Sequence, residues 1–543
     1  MGTGIEIFSK LNKRAVMKWA AWQNNWRLVQ ISRKLTQHAK LDANRQPVVF
    51  FNASTRLFNI SLNAAFSYLA SCAVQFAGVP VVHFACHAGL NRCVLGTNRL
   101  KPDAPLPCQA CIAQSRYMFG NAPTVWLNYS DEPALAAELK GLPLDQLEEF
   151  EYAGLPLGEL VLPSLRWALR RHHLQDDPTT CGLLREYIIS AHRLAREFAA
   201  FLDQVEPAAL VVFNGITYPE AIARRLAWQR GIRVISHEVG LMPFSAFFTD
   251  GEATAYPIEI PEDFDLSSAQ NARLDAYLGQ RFQGKFSMAG IKFWPEISGL
   301  DESFLEKAAG FRQIVPIFTN VIFDTSQLHA NTLFPHMFAW LDAVFSMIKA
   351  HPETLFVIRA HPDELRPGKE SQESVHQWVS NNRVQELPNV VFINSNEYIS
   401  SYELIQRAKF VLVYNSSIGL EASLMGAAVL CGGMARFTQI PTVFFPTTAE
   451  EYRQKAELFL SAEKIEVPHE FYRNARRFIY YQLFRSSLPF GEYLDVHPWP
   501  GFVRFRPFHW QKLTPQVSET MRVLVGGIVE GEPFLLRDDG TKI

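Results

Sequence analysis

Short apolar runs alternate with amphipathic helical patterns along much of the chain. In the second half, LFVIRA, VVFI and FVLVY each end at small or polar residues, and a helical pattern follows each run. Runs of this length that are apolar on both faces are typical of parallel strands covered by helices. The pattern therefore predicts an α/β domain with a parallel sheet over residues 311–463.

The first half of the chain shows the same alternation. PVVFFNAS, VPVVHF, AALVVFNG and IRVISHEVG are predicted strands, and SLNAAFSYLASCAVQFAG is a predicted helix between the first two. These runs predict a second parallel-sheet domain over residues 43–260. Residues 261–310 are then an interdomain connection, and residues 464–543 a C-terminal helical segment and tail.

Polar residues at the ends of the predicted strands are the candidates for a ligand site, because ligands of parallel sheets bind beyond the carboxyl ends of the strands. Ser416 and Ser417 open a helix, where free backbone N–H groups and hydroxyls bind anions; the alternative is a simple helix cap. His361 as an imidazolium would hold a phosphate or protonate a leaving oxygen; the alternative is a hydrogen-bonded surface residue. Asp324 and Glu421 would bind sugar hydroxyls, or be solvated loop and helix acids.

The motifs AHPDE and YNSSIGLEASLMGAAVLCGG, in this order, resemble the C-terminal half of GT-B glycosyltransferases of the bacterial capsule polysaccharide biosynthesis type. This type includes Kdo transferases and is similar in outline to bacterial sialyltransferases. The resemblance extends over roughly residues 310–435. It implies two Rossmann-like domains that face an interdomain cleft, with the C-terminal helices crossing back onto the first domain.

The resemblance also implies a nucleotide-sugar donor. In these families the HP and SS motifs bind the CMP of the donor, so CMP-Kdo or another CMP-activated acid is the first candidate here. No DxD metal element stands at a strand end, so we expect a metal-independent transfer. The predicted donor-binding residues are Thr319, Asn320, Asp324, His361, Pro362, Asn394, Glu397, Asn415, Ser416, Ser417 and Glu421.

The acceptor, a glycan or lipid-linked glycan, is expected at the strand ends of the first domain. Arg56, Asn214 and His237 are the candidate acceptor-binding residues. An inverting transfer needs a base within reach of the acceptor hydroxyl, and Glu238 at a strand end is the candidate, beside His361 as the second catalytic residue. The alternative for Glu238 is a carboxylate that orders its own loop.

A cysteine cluster predicts a structural metal. Cys86, Cys93, Cys108 and Cys111 fall in CHAGLNRC…PCQAC, interpreted as one loop. Clustered cysteines with a CxxC element indicate zinc when disulfides are disfavoured. An iron–sulfur cluster uses the same ligands, His83 and His87 are possible substitute ligands, and free thiols are the remaining alternative.

Residues 1–42 form a basic segment in which Trp19, Trp22 and Trp26 share one predicted helical face. A basic helix with Trp residues is suited to a membrane interface. The alternative is a helix that packs its Trp face on the protein's own core.

Composition narrows the remaining classes. The chain has 543 residues, 48% hydrophobic and 20% charged, with a net charge of −2. A nucleic-acid-binding protein usually has a basic excess, so we exclude that partner. Neither a transmembrane run nor a signal peptide is evident, and we expect a cytoplasmic protein. The rival functions are a non-hydrolysing UDP-sugar epimerase and a non-enzymatic scaffold of a polysaccharide assembly complex.

Overall fold

The computed structural model describes residues 2–53, 59–282, 298–366, 368 and 370–538, with side chains from residue 15 onward. Strands and helices alternate through most of this range, as the hydrophobic pattern predicts. The strands are β1 (Val48–Asn52), β2 (Val81–His87), β3 (Thr124–Asn128), β4 (Ala209–Phe213), β5 (Arg233–Val239), β6 (Ser245–Asp250), β7 (Gln313–Phe318), β8 (Thr354–Arg359), β9 (Val390–Ile393), β10 (Val411–Val413), β11 (Val429–Cys431), β12 (Leu488–Pro489), β13 (Leu494–Val496) and β14 (Val503–Phe505).

Eighteen α-helices accompany these strands in the described part of the chain. They are α1 (Gly2–His38), α2 (Leu62–Phe76), α3 (Cys108–Phe119), α4 (Pro133–Glu138), α5 (Leu144–Glu148), α6 (Leu157–Leu169), α7 (Pro178–Val205), α8 (Tyr218–Gln229), α9 (Ser268–Phe282), α10 (Glu302–Ala309), α11 (Gln327–Ala330), α12 (Met337–Ala350), α13 (Val375–Asn381), α14 (Ser401–Arg407), α15 (Ile418–Leu424), α16 (Ala449–Ser461), α17 (His469–Tyr480) and α18 (Glu519–Val525). None of them combines the length and hydropathy of a membrane span.

The first sheet is a doubly wound parallel sheet with an antiparallel edge. Its strand order is β12-β6-β5-β4-β1-β2-β3, in which β1 to β5 are parallel while β6 and β12 are antiparallel to their neighbours. The chain winds outward from β1 to β3 and then returns to place β4 on the other side of β1. A ligand crevice is expected at this reversal, beyond the carboxyl ends of β1 and β4.

The second sheet repeats the same winding in five strands. Its order is β11-β10-β7-β8-β9, and every pair is parallel. The reversal lies between β7 and β10, so the loops after these two strands form the crevice. The two doubly wound sheets confirm the predicted α/β fold of GT-B type.

Alternate residues of the strands pack on opposite faces of each sheet. Val48 and Phe50 contact the layer that contains α1, α2 and α18, whereas Val49 and Phe51 contact α6, α7 and α8. A further apolar cluster joins the two halves, because Phe247 and Tyr256 of the first pack together with Phe318, Val413 and other residues of the second. The space between the sheets is therefore bounded by a shared core.

The C-terminal part of the chain returns to the first sheet. Helix α17 packs in the shared core through Phe478 and Ile479, and β12 then pairs with β6 through Leu488 and Ala246. The hairpin of β13 and β14 lies against α1, where the buried side chain of Asn24 donates to the Val503 carbonyl at 3.0 Å. The polypeptide thus passes from one sheet to the other twice.

Candidate active site

The reversal of the second sheet is held by an amide pair. Nδ2 of Asn320, which follows β7, donates to Oδ1 of Asn415, which follows β10, at 2.7 Å. Oδ1 of Asn320 accepts from the backbone N–H of Val321 at 2.8 Å. These bonds fix the two loops at the point where a ligand of such a sheet binds.

A cavity of about 330 Å³, here called the cleft pocket, opens between the two halves. Residues of the first half on its wall are Leu241, Thr254, Ala255 and Pro257. The predicted donor-binding residues on its wall are Asn320, Asp324, His361, Asn415, Ser416, Ser417 and Glu421. The structure therefore gathers most of the predicted donor-binding set in one pocket of ligand size.

A second cavity of about 180 Å³, the inner pocket, extends into the second domain. Its wall includes Arg359, Tyr398 and Tyr402, and it also contains Thr319 and Pro362 from the predicted set. The two cavities share six residues, namely Arg281, His361, Asp363, Ser416, Ser417 and Glu421. The predicted HP and SS motifs thus lie at the junction of the two pockets.

His361 is fixed in one tautomer. Its Nδ1 accepts from the backbone N–H of Asp363 at 3.1 Å, so the proton of the neutral ring is on Nε2. Burial lowers its pKa, with the carboxylates of Asp363 and Asp324 opposing that effect and Arg359 adding to it. The imidazolium expected from the sequence is therefore disfavoured without a ligand, and a bound phosphate would favour it.

Ser416 and Ser417 occupy the turn between β10 and α15. Ser416 is buried and Ser417 is exposed, and the Ser417 side chain makes no capping hydrogen bond to the helix. The helix has only seven residues, so its dipole is a small contribution and the hydroxyls are the main donors. The geometry of Ser417 therefore does not support the alternative that its side chain caps the helix.

Glu421 is already bound within the protein. Its Oε1 accepts from Nε and Nη2 of Arg281 at 3.0 and 2.6 Å, and its Oε2 accepts from the Tyr402 hydroxyl at 2.6 Å. Both members of the ion pair are buried. Glu421 therefore positions Arg281 and Tyr402 on the pocket wall, and a ribose hydroxyl would have to share a carboxylate that is occupied.

Arg359, at the end of β8, was not among the predicted site residues. It is only 8% exposed, and its Nη1 has no hydrogen-bond partner among the described residues. Burial lowers the pKa of this guanidinium to about 10, while the nearby Glu397 opposes that effect. A buried guanidinium with a free donor on the wall of a pocket is suited to an oxygen of a ligand. The feature of the sequence that could have indicated Arg359 is its position two residues before His361.

Glu238 lies near the end of β5 in the first domain, and it lines neither the cleft pocket nor the inner pocket. Its Oε1 accepts from the Val239 N–H at 2.8 Å and from Nδ2 of Asn63 at 3.2 Å. Burial raises its pKa and the charge of Asp324 raises it further, while these two hydrogen bonds and the charge of Arg436 oppose the rise. Asp324 and Arg436 line the cleft pocket, so this carboxylate is electrostatically linked to the donor side.

Arg436 is a second residue that sequence reasoning missed. It follows β11 and lies over the ring of Tyr256, with its guanidinium carbon 3.9 Å from the ring centroid. It is a cation on the wall of the cleft pocket. Its position beyond the last strand of the second sheet was the available signal.

The other predicted acceptor residues do not meet at the cleft. His237 is 1% exposed and stacks on Phe248 at 5.0 Å, and burial lowers its pKa to about 3. Asn214 is buried and its Oδ1 accepts from the N–H groups of Ile216 and Thr217, which shapes the turn after β4. Neither His237 nor Asn214 lines the cleft pocket or the inner pocket. Arg56 lies outside the described residues.

Three of the predicted donor residues make hydrogen bonds that shape the loops at the strand ends. The Thr319 hydroxyl donates to the Arg359 carbonyl at 2.9 Å, which joins the ends of β7 and β8. Oε2 of Glu397 accepts from the Asn394 N–H at 2.6 Å and closes the loop after β9. Asn394 and Glu397 line neither the cleft pocket nor the inner pocket.

The cysteine prediction needs correction. Cys86 is in β2, Cys93 is in the following turn, and Cys108 and Cys111 are in the first turn of α3, so they do not form one loop. They line a common cavity of about 200 Å³. Within the described residues, however, no three His, Cys, Asp or Glu side chains are gathered as metal ligands. Burial raises the pKa of Cys86 to about 12, so this side chain is a thiol in the metal-free protein.

The two histidines named as substitute ligands are also bound elsewhere. Nδ1 of His83 lies 3.3 Å from Nδ2 of Asn52, and the buried ring packs on Phe119 with 4.6 Å between ring centroids. Nδ1 of His87 lies 3.0 Å from Oδ1 of Asn128. The predicted zinc or iron–sulfur site is therefore not supported.

Comparison with known structures identifies low-identity relatives. A β-Kdo 2,4-transferase KpsC of Thermosulfurimonas dismutans is 12% identical over 55% of this chain and 84% of its own, with a TM-score of 0.34. A UDP-GlcNAc 2-epimerase of Neisseria meningitidis is 13% identical over 80% of this chain and 98% of its own, with a TM-score of 0.24. Because these TM-scores are low, the fold assignment rests on the strand order of the two sheets. Comparison with curated protein sequences finds no match.

Residues 301–458 match the family described as "Capsule polysaccharide biosynthesis protein". This range contains β7 to β11 and the residues at the junction of the two pockets other than Arg281. The match confirms the resemblance predicted from the sequence, because residues 301–458 are similar to this family of capsule polysaccharide biosynthesis proteins.

Proposed function

We propose that this protein transfers a sugar from a CMP-activated acid, such as CMP-Kdo, to a glycan or lipid-linked acceptor in the interdomain cleft. The observation that carries the proposal is the division of the site into two connected cavities. The residues at their junction include an imidazole and two serine hydroxyls, which are suited to a phosphate.

The arrangement supports one orientation of the donor. With its phosphate at the junction, the nucleoside occupies the inner pocket and the sugar extends into the cleft pocket. Arg359 then donates through its free Nη1 to an oxygen of the nucleotide. Arg436 is on the sugar side, where it faces negative charge on the acid sugar or on the departing phosphate.

Each residue has a defined part in the proposed transfer. The acceptor hydroxyl oxygen forms a bond to the anomeric carbon as the bond from that carbon to the phosphate oxygen breaks, and the hydroxyl proton passes to Glu238. Its raised pKa makes Glu238 a better base than a solvated carboxylate. Nε2–H of His361, the serine hydroxyls and Arg436 stabilise the charge that develops on the phosphate. This scheme assigns an inverting, metal-independent transfer.

Calorimetric titration with CMP, UDP and GDP tests the donor class. We expect CMP to bind more tightly than UDP or GDP. Binding of UDP alone would favour the epimerase class and overturn the CMP assignment. A protein that binds none of the three would favour a scaffold role.

His361→Ala tests the site itself. We expect this variant to lose CMP binding and transfer while keeping the melting temperature of the wild type. His469→Ala is the matched control, because His469 is exposed at the start of α17. A His361→Ala variant with full transfer activity would contradict the proposal.

A further inference from the structure

Helix α1 has two opposite faces with different environments. Ala20, Asn24, Leu28, Ile31 and Leu35 are buried against the first domain, and none is more than 6% exposed. These positions are spaced by three or four residues, so they form one face of the helix. The helix is therefore a fixed part of the domain surface.

The other face of α1 presents large apolar side chains to solvent. Trp19, Trp22 and Trp26 are 58%, 56% and 45% exposed. We call these three residues the tryptophan face. The rings of Trp19 and Trp22 stack with 5.0 Å between their centroids. The sequence left open whether these Trp residues pack on the protein core, and the structure shows that they do not.

Positive charge surrounds the tryptophan face. Lys18 and Arg33 are exposed, and the guanidinium carbon of Arg27 lies 4.6 Å from the ring centroid of Trp26. The sequence from Ala15 to His38 contains no Asp or Glu. The whole chain has a net charge of −2, so this basic character is local.

Contacts in its middle and at its C-terminal end hold the helix in place. Asn24 accepts from the Phe505 N–H at 2.9 Å as well as donating to the Val503 carbonyl. Nearer the C-terminal end of the helix, the ring of His38 stacks on Trp510 with 4.3 Å between centroids. Binding through the tryptophan face therefore does not require this helix to fold first, and the ordering penalty of a disordered anchor is avoided.

We propose that the tryptophan face docks α1 on the surface of an anionic lipid bilayer. Trp side chains favour the boundary between headgroups and acyl chains, and basic residues beside them are attracted to anionic headgroups. A second copy of the chain is the less suitable occupant, since pairing this face with itself would bring Lys18, Arg27 and Arg33 of both copies together.

Co-sedimentation with vesicles tests the proposal. The full chain is mixed with phosphatidylcholine vesicles that contain or lack phosphatidylglycerol. We expect binding to the anionic vesicles that weakens as salt is added, and a blue shift of tryptophan fluorescence on binding. Absence of binding to the anionic vesicles would overturn the proposal.

The variant W19A/W22A/W26A isolates the face. We expect its partition to anionic vesicles to fall at least about tenfold, because the buried apolar area is lost. Trp228→Ala is the matched control, because Trp228 is 69% exposed on α8, and it should bind as the wild type does. Circular dichroism melting shows whether each variant is folded.

Two further outcomes would overturn the proposal. One is a folded triple variant that still binds anionic vesicles as the wild type does. The other is a dimer of the wild type in light scattering that the triple variant abolishes, which would assign the face to a second copy. None of these readouts depends on the transferase activity.

Discussion

Arg281 and Glu421 form a buried ion pair between the segment that joins the two domains and the helix that follows the paired serines. Nη2 of Arg281 donates to Oε1 of Glu421 at 2.6 Å, and both side chains are 9% exposed. Since Arg281 ends on the wall of both pockets, the pair connects interdomain packing with the shape of the donor site.

We expect Glu421→Ala to lower the free energy of unfolding by about 3–5 kcal/mol, because it removes the carboxylate that balances the charge of a buried guanidinium. Urea denaturation followed by circular dichroism measures the change. Asp265→Ala is the control, as it removes an exposed carboxylate from a surface pair with Arg473, and it should change stability little. Equal effects of the two substitutions would contradict the role of the buried pair.

Arg359→Met separates ligand binding from stability. Because Nη1 has no partner among the described residues, removing the guanidinium should leave the melting temperature unchanged or raise it. Affinity for CMP should fall about tenfold or more, since a hydrogen bond to a charged group contributes ~1.5–3 kcal/mol. Calorimetry measures the affinity, with the exposed Arg407→Met as control. Unchanged affinity would remove Arg359 from the site.

The acid side of the pH–activity profile should report Glu238. A base must be deprotonated to accept the hydroxyl proton, and burial raises the pKa of this carboxyl. The value of kcat/KM for transfer should therefore increase with pH through a pKa above the ordinary value of a glutamate.

Glu238→Gln should reduce this transfer by about 10²–10⁴-fold, while Glu259→Gln, on an exposed residue of the same half, should have no effect. A Glu238→Gln variant with the wild-type rate and pH profile would contradict its role as the base.

Glu364 should make stability depend on pH. Burial raises its pKa to about 8, and the hydrogen bonds that the carboxylate accepts from the Val375 N–H and the Ser395 hydroxyl oppose this rise. The folded protein then binds more protons than the unfolded chain between the ordinary pKa and about 8. The free energy of unfolding should fall as pH rises through this window, by at most about 1.4 kcal/mol per unit of pKa difference.

The variant Glu364→Gln checks this prediction, because its amide does not ionise. Denaturation curves of wild type and variant, recorded from mildly acidic to mildly alkaline pH, should diverge as the pH rises. Parallel pH dependences of the two proteins would show that Glu364 is ionised at no cost in the folded state.

The hydrophobic pattern was sufficient to predict the strands and the polar residues that stand at their ends. LFVIRA, VVFI and FVLVY became β8, β9 and β10, because an apolar run between polar ends leaves few alternatives to a buried parallel strand. His361, Ser416 and Ser417 follow from the same rule. To predict that these polar residues line a crevice, only the position of each strand end was needed.

Side-chain partners between distant segments could not be predicted. Nothing in the sequence around Glu421 indicates Arg281, which is 140 positions away, and their pairing depends on how α9 packs against α15. The burial of His237 could not be predicted for a related reason, since alternate residues of a strand face opposite sides of the sheet and the sequence does not show which side of β5 is buried at this position. The cysteine spacing likewise did not reveal that two thiols would start a helix.

Two stretches of the chain join the two halves: residues 251–312, and the residues that lead from α17 to β12, where β12 pairs with β6. Two domains joined by one linker can rotate in any direction. Two linkers that enter at different places limit the domains to a hinge motion whose axis passes near both linkers. Opening of the cleft pocket should therefore be a hinge rotation of one half against the other about a single axis. Cutting either link alone would leave the halves attached but remove that constraint on their motion.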